Sequence, residues 1–423
     1  MNSGVKKSFK LNGEIEIPSD KSLSHRAVMF STLAKGKSVI KNFSKGQDPH
    51  SSLEICKSLG ADIKQDGQTV IVTSTGILKK PECELYCGNS GTTMRLMAGV
   101  LAGQNFNSVL TGDESLSRRP MKRVIEPLSL MGANIVSTDF HAPLNITGTE
   151  LNAVTYESKI ASAQVKSCVL LAGLFAHGVT KYKEIYPSRN HTEIMLGNMG
   201  ANLCYENDYI CIEKSELKPL EINICGDISS AAYFIVAGLI VPNSKIILKN
   251  IGLNPTRSGI IEVVKQMGGD IEILDQRDVC GEIVGDIKVE YSPDMNGVEI
   301  SGQIIPTLID EIPVISLLAT QCNGQTVIKD AQDLRNKESD RIKTTVTELS
   351  KLGAQIQQTQ DGMIINGKTN LNGGVETESY KDHRLAMTLY VAGLICEKEI
   401  SIKDFEWVNI SFPEFLDLFE SLK

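Results

Sequence analysis

A short phrase of the form apolar-glycine-small-polar-apolar recurs five times, and it constrains the fold more than any single motif. It reads Leu59-Gly60-Ala61-Asp62-Ile63, Met131-Gly132-Ala133-Asn134-Ile135, Met199-Gly200-Ala201-Asn202-Leu203, Met267-Gly268-Gly269-Asp270-Ile271 and Leu352-Gly353-Ala354-Gln355-Ile356. The glycines lie 72, 68, 68 and 85 residues apart. Each copy follows a helical pattern and precedes an alternating, strand-like stretch, so glycine is expected to take the left-handed helix stop before the chain extends. A common helix-to-strand turn would explain one copy. Five at near-regular spacing predict a repeated supersecondary unit.

A second phrase occurs six times. Small-residue-rich helices end near Leu33-Ala34-Lys35-Gly36, Leu101-Ala102-Gly103, Leu174-Phe175-Ala176-His177-Gly178, Leu239-Ile240-Val241-Pro242, Leu318-Ala319-Thr320 and Leu394-Ile395-Cys396, and in most copies a β-rich stretch follows. Such helices are apolar nearly all round, as buried helices are. The chain therefore reads as six α/β units of roughly 65 to 80 residues, three per domain if two domains share them. The last apolar helix, Phe412–Phe419, has no strand after it, and the strand around Ser8 to Ile17 is expected to complete that sixth unit. At about 150 residues per domain the length alone suggests two or three domains.

The openings of the six buried helices are unusually polar: Lys21-Ser22-Leu23-Ser24-His25-Arg26, Asn89-Ser90-Gly91-Thr92-Thr93-Met94-Arg95, Ser162-Ala163-Gln164-Val165-Lys166-Ser167, Asp227-Ile228-Ser229-Ser230, Asp310-Glu311-Ile312-Pro313 and Asp382-His383-Arg384. Ser, Asn and Asp there are ordinary N-caps, preferred by about 1 kcal/mol each. Capping does not account for Arg26, Lys166 and Arg384 in first turns, where the helix dipole disfavours cations. Three clusters therefore read as anion seats for phosphate or carboxylate. Lys21 supplies a compact charge that can also move a proton. Further charges sit in loops, at Arg118-Arg119-Pro120, Pro187-Ser188-Arg189-Asn190-His191 and Arg335-Asn336-Lys337-Glu338-Ser339-Asp340-Arg341. A solvated helix face competes evenly with a site for the last of these.

The exclusions narrow the chemistry. With 43 Lys+Arg against 51 Asp+Glu, the formal charge of −8 argues against nucleic acid as a partner, because phosphate backbones demand a net basic face. No run approaches the roughly 18 to 20 apolar residues of a membrane span, and the first residues lack a signal-peptide core, so a cytoplasmic protein is expected. The ten cysteines form no C-x-x-C pair and read as reduced core residues; the six histidines show no metal-binding spacing, so no metal is expected. There is no Walker A loop, no G-x-S-x-G elbow and no dinucleotide fingerprint. Acids, bases and electrostatics must carry the chemistry.

Together and in order, Ser19-Asp20-Lys21-Ser22-Leu23-Ser24-His25-Arg26-Ala27, Gly88-Asn89-Ser90-Gly91-Thr92, Arg119-Pro120, Ser162-Ala163-Gln164-Val165-Lys166-Ser167, Gly226-Asp227-Ile228-Ser229-Ser230-Ala231, Lys337-Glu338-Ser339-Asp340-Arg341 and Asp382-His383-Arg384-Leu385-Ala386-Met387 resemble the 5-enolpyruvylshikimate-3-phosphate synthase family essentially end to end. Ala163, Leu96 and the run from Lys166 to Leu174 look like its second class. The resemblance implies two inverse α/β domains, each of three βαβαββ-type repeats with buried helices and outer sheets. One would be built from residues 1–19 plus 228–423, the other from the inserted residues 20–227, with the active site in the cleft between them.

It also implies transfer of the enolpyruvyl group of phosphoenolpyruvate to the 5-hydroxyl of shikimate 3-phosphate, with release of phosphate and no cofactor. By similarity, Ser22 and Arg26 would hold the shikimate carboxylate, Ser162 and Arg189 its phosphate, and Gln164 would lie over the ring. Asp310 would take the 5-hydroxyl proton and Lys337 would bind the neighbouring hydroxyls. Lys21, Gly91, Arg119, Gln164, Arg341 and Arg384 would bind phosphoenolpyruvate, with Glu338 beside the carbon that gains and loses a proton; Lys21, Asp310 and Glu338 are the expected acids and bases. A monomer with no membrane or nucleic-acid partner is expected, its net negative charge an acidic exterior around a cationic cleft, and Gly91 predicts inhibition by glyphosate. Asn409-Ile410-Ser411 lacks a lysine common in relatives before Phe412-Pro413. The sister enzyme acting on UDP-N-acetylglucosamine expects a Lys-Asn pair where this chain has Lys21-Ser22, and a non-catalytic anion-binding module would not require Asp310, Lys337 and Glu338 among the arginines.

Overall fold

The computed structural model describes residues 3–423. Gly60, Gly132, Gly200, Gly268 and Gly353 have φ of 98, 91, 85, 83 and 103°, backbone that glycine enters without a Cβ clash. The helices Gln47–Ser58, Lys122–Leu130, His191–Asn198, Gly259–Met267 and Arg341–Lys351 stop there, and the strands Asp62–Asp66, Asn134–Thr138, Leu203–Glu206, Asp270–Val279 and Gln355–Gln358 follow.

The six apolar phrases are six core helices: Lys21–Leu33, Gly91–Ala102, Ala163–Gly173, Ile228–Ile240, Ile312–Ala319 and His383–Gly393. In the fourth, every residue but Ser230 is buried. Asp20, Ser90, Ser162, Asp227 and Asp382 cap five of them by accepting a hydrogen bond from a backbone N–H of the first turn. The fifth has no side-chain cap and carries Pro313 as its second residue, where the missing N–H costs nothing in a first turn.

The second, third, fifth and sixth core helices work as crossovers between parallel strands, the connection such strands need. In the third unit Thr155–Ser158 runs parallel to Thr180–Glu184, which pairs antiparallel with Tyr209–Ile212, and that strand pairs antiparallel with Leu203–Glu206. Six sheets result. Two edge strands are exchanged: Asn12–Glu16 precedes the first core helix yet lies parallel to Lys245–Lys249 of the fourth sheet, while Glu221–Asn223 lies parallel to Val39–Lys41 of the first.

The sixth unit corrects the expected strand around Ser8 to Ile17. Ser3–Val5 completes it, antiparallel to Ile400–Ile402. The fit is steric: a Cβ on Gly393 of the sixth core helix would come within 2.7 Å of Val5 Cγ1, so glycine makes room for that valine. Leu11 and Ile15 belong instead to the buried core on the fourth sheet's side.

The chain divides into two compact units. An inserted unit holds Ser19–Ile224 with the hairpin tip Val279–Glu282; a split unit holds the segment up to Pro18, Cys225–Asp278 and Ile283–Lys423. Inside the inserted unit the second and third core helices meet at backbone distance, since a Cβ on Gly99 would lie 2.2 Å from the Cys168 carbonyl oxygen. Inside the split unit the last helix, Phe415–Leu422, stacks Phe419 on Phe234 with centroids 4.2 Å apart, beside Phe412, Phe415 and Tyr390.

No single helix among the described residues is long and apolar enough to cross a membrane. The reading of the cysteines as core residues holds for seven; Cys83, Cys204 and Cys280 are exposed.

Candidate active site

The inserted unit gathers the openings of three core helices. Arg26 is buried and donates from Nε to Thr192 Oγ1 (2.8 Å), from Nη1 to the Ser22 carbonyl (3.0 Å) and from Nη2 to Ser167 Oγ (2.9 Å). Three of its five N–H groups are thus fixed, which sets the fork in one orientation. Burial lowers its pKa to about 10, with nearby Arg189 adding to the fall and Glu193 and Asp20 opposing it. It remains a cation at neutral pH.

Gln164 bridges to the second core helix: its Oε1 accepts from Arg95 Nη1 at 2.6 Å and its Nε2 donates to Thr92 Oγ1 at 3.0 Å. Arg119 donates to Asn89 Oδ1 at 2.8 Å, beside Gly91. A Cβ on Gly91 would stand 2.8 Å from Arg95 Nη1 and 3.5 Å from Arg119 Nη1, so this helix start lies under two guanidiniums. Lys21 pairs with Asp48 at 3.1 Å. Ser162 caps the third core helix and Ser22 offers its carbonyl to Arg26.

Lys166 departs from the expectation. Read from the sequence it is a first-turn cation awaiting an anion; in the structure its Nζ is 2.9 Å from Glu184 and 2.8 Å from Glu193, and it donates to the Ser188 carbonyl at 2.8 Å. Protein carboxylates already answer its charge. His25 is likewise internal: its Nδ1 lies 2.6 Å from Ser52 Oγ, which is 2.8 Å from Thr93 Oγ1. Burial, then Lys21 and Arg26, hold its pKa well below the usual value, so the ring is neutral.

The split unit concentrates carboxylates around three arginines and a lysine. Arg341 Nη1 is 3.2 Å from Asp310 and Nη2 is 2.6 Å from Glu338. Asp310 also lies 3.5 Å from Lys337 Nζ and 3.9 Å from Arg384 Nη2. The structure thus brings together Asp310, Lys337, Glu338, Arg341 and Arg384, drawn from three stretches of chain. Arg341 is 1% exposed and opens the helix Arg341–Lys351, so the even-odds reading of a solvated charge face falls away for it. Burial would lower its pKa, but Asp382, Glu338 and Asp310 outweigh that and hold it well above the usual value. Arg384 is shifted the same way, with Asp310 as the main opponent of burial.

Sequence reasoning missed the supporting shell. Glu311 is fully buried and accepts from Ser229 and, at 3.3 Å, from Arg257, which also reaches Asp227 at 2.9 Å. Asp227 and Asp382 read as helix caps and are, but each also takes an arginine. Asp48, Glu184 and Glu193 pair with the inserted unit's lysines with no local pattern to announce them. The one available signal was first-turn Lys166, which required an anion whose source the sequence does not reveal.

The arrangement suits small polyanions. Oriented guanidiniums and helix starts bind phosphate and carboxylate, and Asp310 and Glu338 among cations can move protons.

The sequence model of the EPSP synthase family (3-phosphoshikimate 1-carboxyvinyltransferase) matches residues 5–419. A 3-phosphoshikimate 1-carboxyvinyltransferase of Thermodesulfovibrio yellowstonii is 51% identical over 430 residues, covering 100% of both chains. That of Bacillus pumilus is 49% identical over 423 residues, covering 99% of each. Among solved structures, an EPSP synthase from Acinetobacter baumannii superposes with a TM-score of 0.89 at 39% identity, covering 100% of this chain and 98% of the other. The enolpyruvyl transferase NikO from Streptomyces tendae shares the fold, with a TM-score of 0.80 at 16% identity over 99% and 96% of the two chains.

Proposed function

Because the chain belongs to the EPSP synthase family, we propose that it transfers the enolpyruvyl group of phosphoenolpyruvate to the 5-hydroxyl of shikimate 3-phosphate and releases inorganic phosphate. The observation that carries this reading is the family match over residues 5–419, in a chain whose Asp310 and Glu338 both touch Arg341. Ser22 and Arg26 take the shikimate carboxylate, Ser162 and Arg189 its phosphate, Gln164 the ring face and Lys337 the hydroxyls. Lys21, Gly91, Arg119, Gln164, Arg341 and Arg384 take phosphoenolpyruvate.

Protonation of the methylene carbon makes an oxocarbenium-like centre. The 5-hydroxyl oxygen attacks that centre as Asp310 accepts its proton, giving a tetrahedral ketal phosphate. Cleavage of the carbon–oxygen bond to phosphate and loss of a methyl proton restore the double bond. Glu338 carries the carbon-bound proton in both directions, and Lys21 assists the leaving phosphate. Positioned acids and bases contribute about 10²–10⁴-fold each. Phosphoenolpyruvate brings about three negative charges, which raise the pKa of a nearby carboxyl unless cations balance them. No cofactor enters this scheme. The working form is a cytoplasmic monomer with neither nucleic-acid nor membrane partner, which sedimentation and fractionation test.

Phosphate release dependent on both substrates tests the reaction. Release with UDP-N-acetylglucosamine in place of shikimate 3-phosphate would assign the sister reaction instead. Asp310→Asn should cut turnover by about 10²–10⁴-fold while shikimate 3-phosphate still binds. Wild-type protein that binds both substrates and never releases phosphate would reduce the reading to an anion-binding module.

A further inference from the structure

The buried cluster around Lys166 has no part in the chemistry above, yet it holds the loop that carries Arg189. Its three N–H donors meet three acceptors, Glu184 Oε1, Glu193 Oε1 and the Ser188 carbonyl. Glu184 completes the grip: Oε1 accepts from Ser188 N at 2.7 Å and Oε2 from Ser188 Oγ at 2.6 Å. Ser188 is therefore fixed at its amide, its hydroxyl and its carbonyl, one residue before Arg189.

The elements joined in this way are distant in sequence. Lys166 sits in the first turn of the third core helix, four residues after its cap Ser162; Glu184 ends the strand Thr180–Glu184; Glu193 lies in the first turn of His191–Asn198. Burial pushes the Glu193 carboxyl up and Lys166 pulls it back. The lysine's charge stays internal, because a buried ammonium with hydrogen-bonded carboxylates has no incentive to seek another anion.

We propose that Lys166 and Glu184 are positioning residues that set Arg189 against Ser162, and so fix the distance across which the phosphate of shikimate 3-phosphate is held. Neither touches the substrate. The proposal rests on the assignment of Ser162 and Arg189 to that phosphate. It follows that their loss weakens binding only through the phosphate, because substrate held by the carboxylate and ring does not depend on residues 185–190.

The test is binding of shikimate 3-phosphate and of shikimate, by calorimetry, to wild-type protein, Lys166→Met, Arg189→Ala and the double variant. Lys166→Met should weaken shikimate 3-phosphate at least ten-fold, leave shikimate within two-fold, and add less than two-fold to Arg189→Ala. Equal losses for both ligands, or a full ten-fold loss on the Arg189→Ala background, would overturn the positioning role. If Arg189→Ala alone leaves shikimate 3-phosphate binding unchanged, the assignment of Arg189 fails instead, and the proposal with it. Should Lys166→Met not fold, Glu184→Leu, which removes both oxygens that grip Ser188, is read by the same criteria.

Discussion

Arg341 and Asp382 form a two-point ion pair inside the split unit: Nε is 2.8 Å from one carboxylate oxygen and Nη2 is 3.2 Å from the other. Both residues are almost wholly removed from solvent. Taking both charges out of water is costly, so the pair adds little net stability, but removing one partner strands the other. Asp382 also caps the sixth core helix through the Arg384 amide. One carboxylate thus orients two of the arginines assigned to phosphoenolpyruvate.

Asp382→Asn should destabilise the protein by about 3–5 kcal/mol, the usual cost of breaking a buried pair. Burial alone would raise the Asp382 carboxyl, but Arg341 prevails and holds it below its ordinary 3.8. A folded-state pKa below the unfolded one stabilises the fold above about pH 4 and loses that contribution as the pH falls through the depressed value. Denaturant titrations from pH 7 to pH 3 should show wild-type stability falling more steeply below pH 4 than that of the variant. Parallel curves would remove the pair from the acid response.

Arg26→Lys keeps the charge and loses the fork that engages Thr192 and Ser167. The KM for shikimate 3-phosphate should rise about ten-fold or more, since a bidentate site does not accept the exchange as conservative. In wild type, burial lowers Arg26 to about 10. Its cation is therefore present at neutral pH and lost as the pH rises through 10, so the wild-type KM should climb above pH 9. A flat profile in both proteins would count against Arg26 as a ligand.

Glyphosate should inhibit the wild type when phosphoenolpyruvate is scarce, and unchanged rates at millimolar inhibitor would refute this. The methyl group of Gly91→Ala would press on Arg95 Nη1, the flexible end of a side chain whose partner is Gln164. We expect a folded enzyme with a several-fold higher KM for phosphoenolpyruvate and weaker inhibition. Steady-state kinetics with both ligands varied decides it.

Gly99→Ala places its methyl against backbone, 2.2 Å from the Cys168 carbonyl, where no side chain can turn aside. Overpacking of this kind costs about 1–3 kcal/mol. Thermal unfolding should show a clear loss, whereas Gly197→Ala, with nothing within 4 Å of its Cβ, should differ little.

The sequence makes visible whatever is written locally. The five glycine stops, the six core helices and the caps at Asp20, Ser90, Ser162, Asp227 and Asp382 depend on neighbours a few residues away, so periodicity and position reveal them. Arg26 and Arg384 stood out as cations where a helix dipole does not want them, whereas the other site residues were expected only from the family resemblance. What stayed hidden depends on distant partners. Glu184 and Glu193 lie 18 and 27 residues from Lys166, and Glu311 lies 54 from Arg257, so nothing short-range distinguishes a cation reserved for substrate from one already neutralised. The misassigned sixth-unit strand has the same cause: Ser3–Val5 and Asn12–Glu16 are both short, and only Gly393 and the fourth sheet decide which goes where.

That strand also sets a timetable. Ser3–Val5 emerges from the ribosome long before its partner Ile400–Ile402 and must wait for it, a delay of about 20 to 80 seconds at 5–20 residues per second. Residues 19–224 meet their own partners well before that, with Glu221–Asn223 closing on Val39–Lys41. Nascent chains stalled near residue 280 should therefore already protect residues 19–224 from protease, while Ser3–Val5, and the sixth sheet it finishes, stays unprotected until Ile400–Ile402 has emerged.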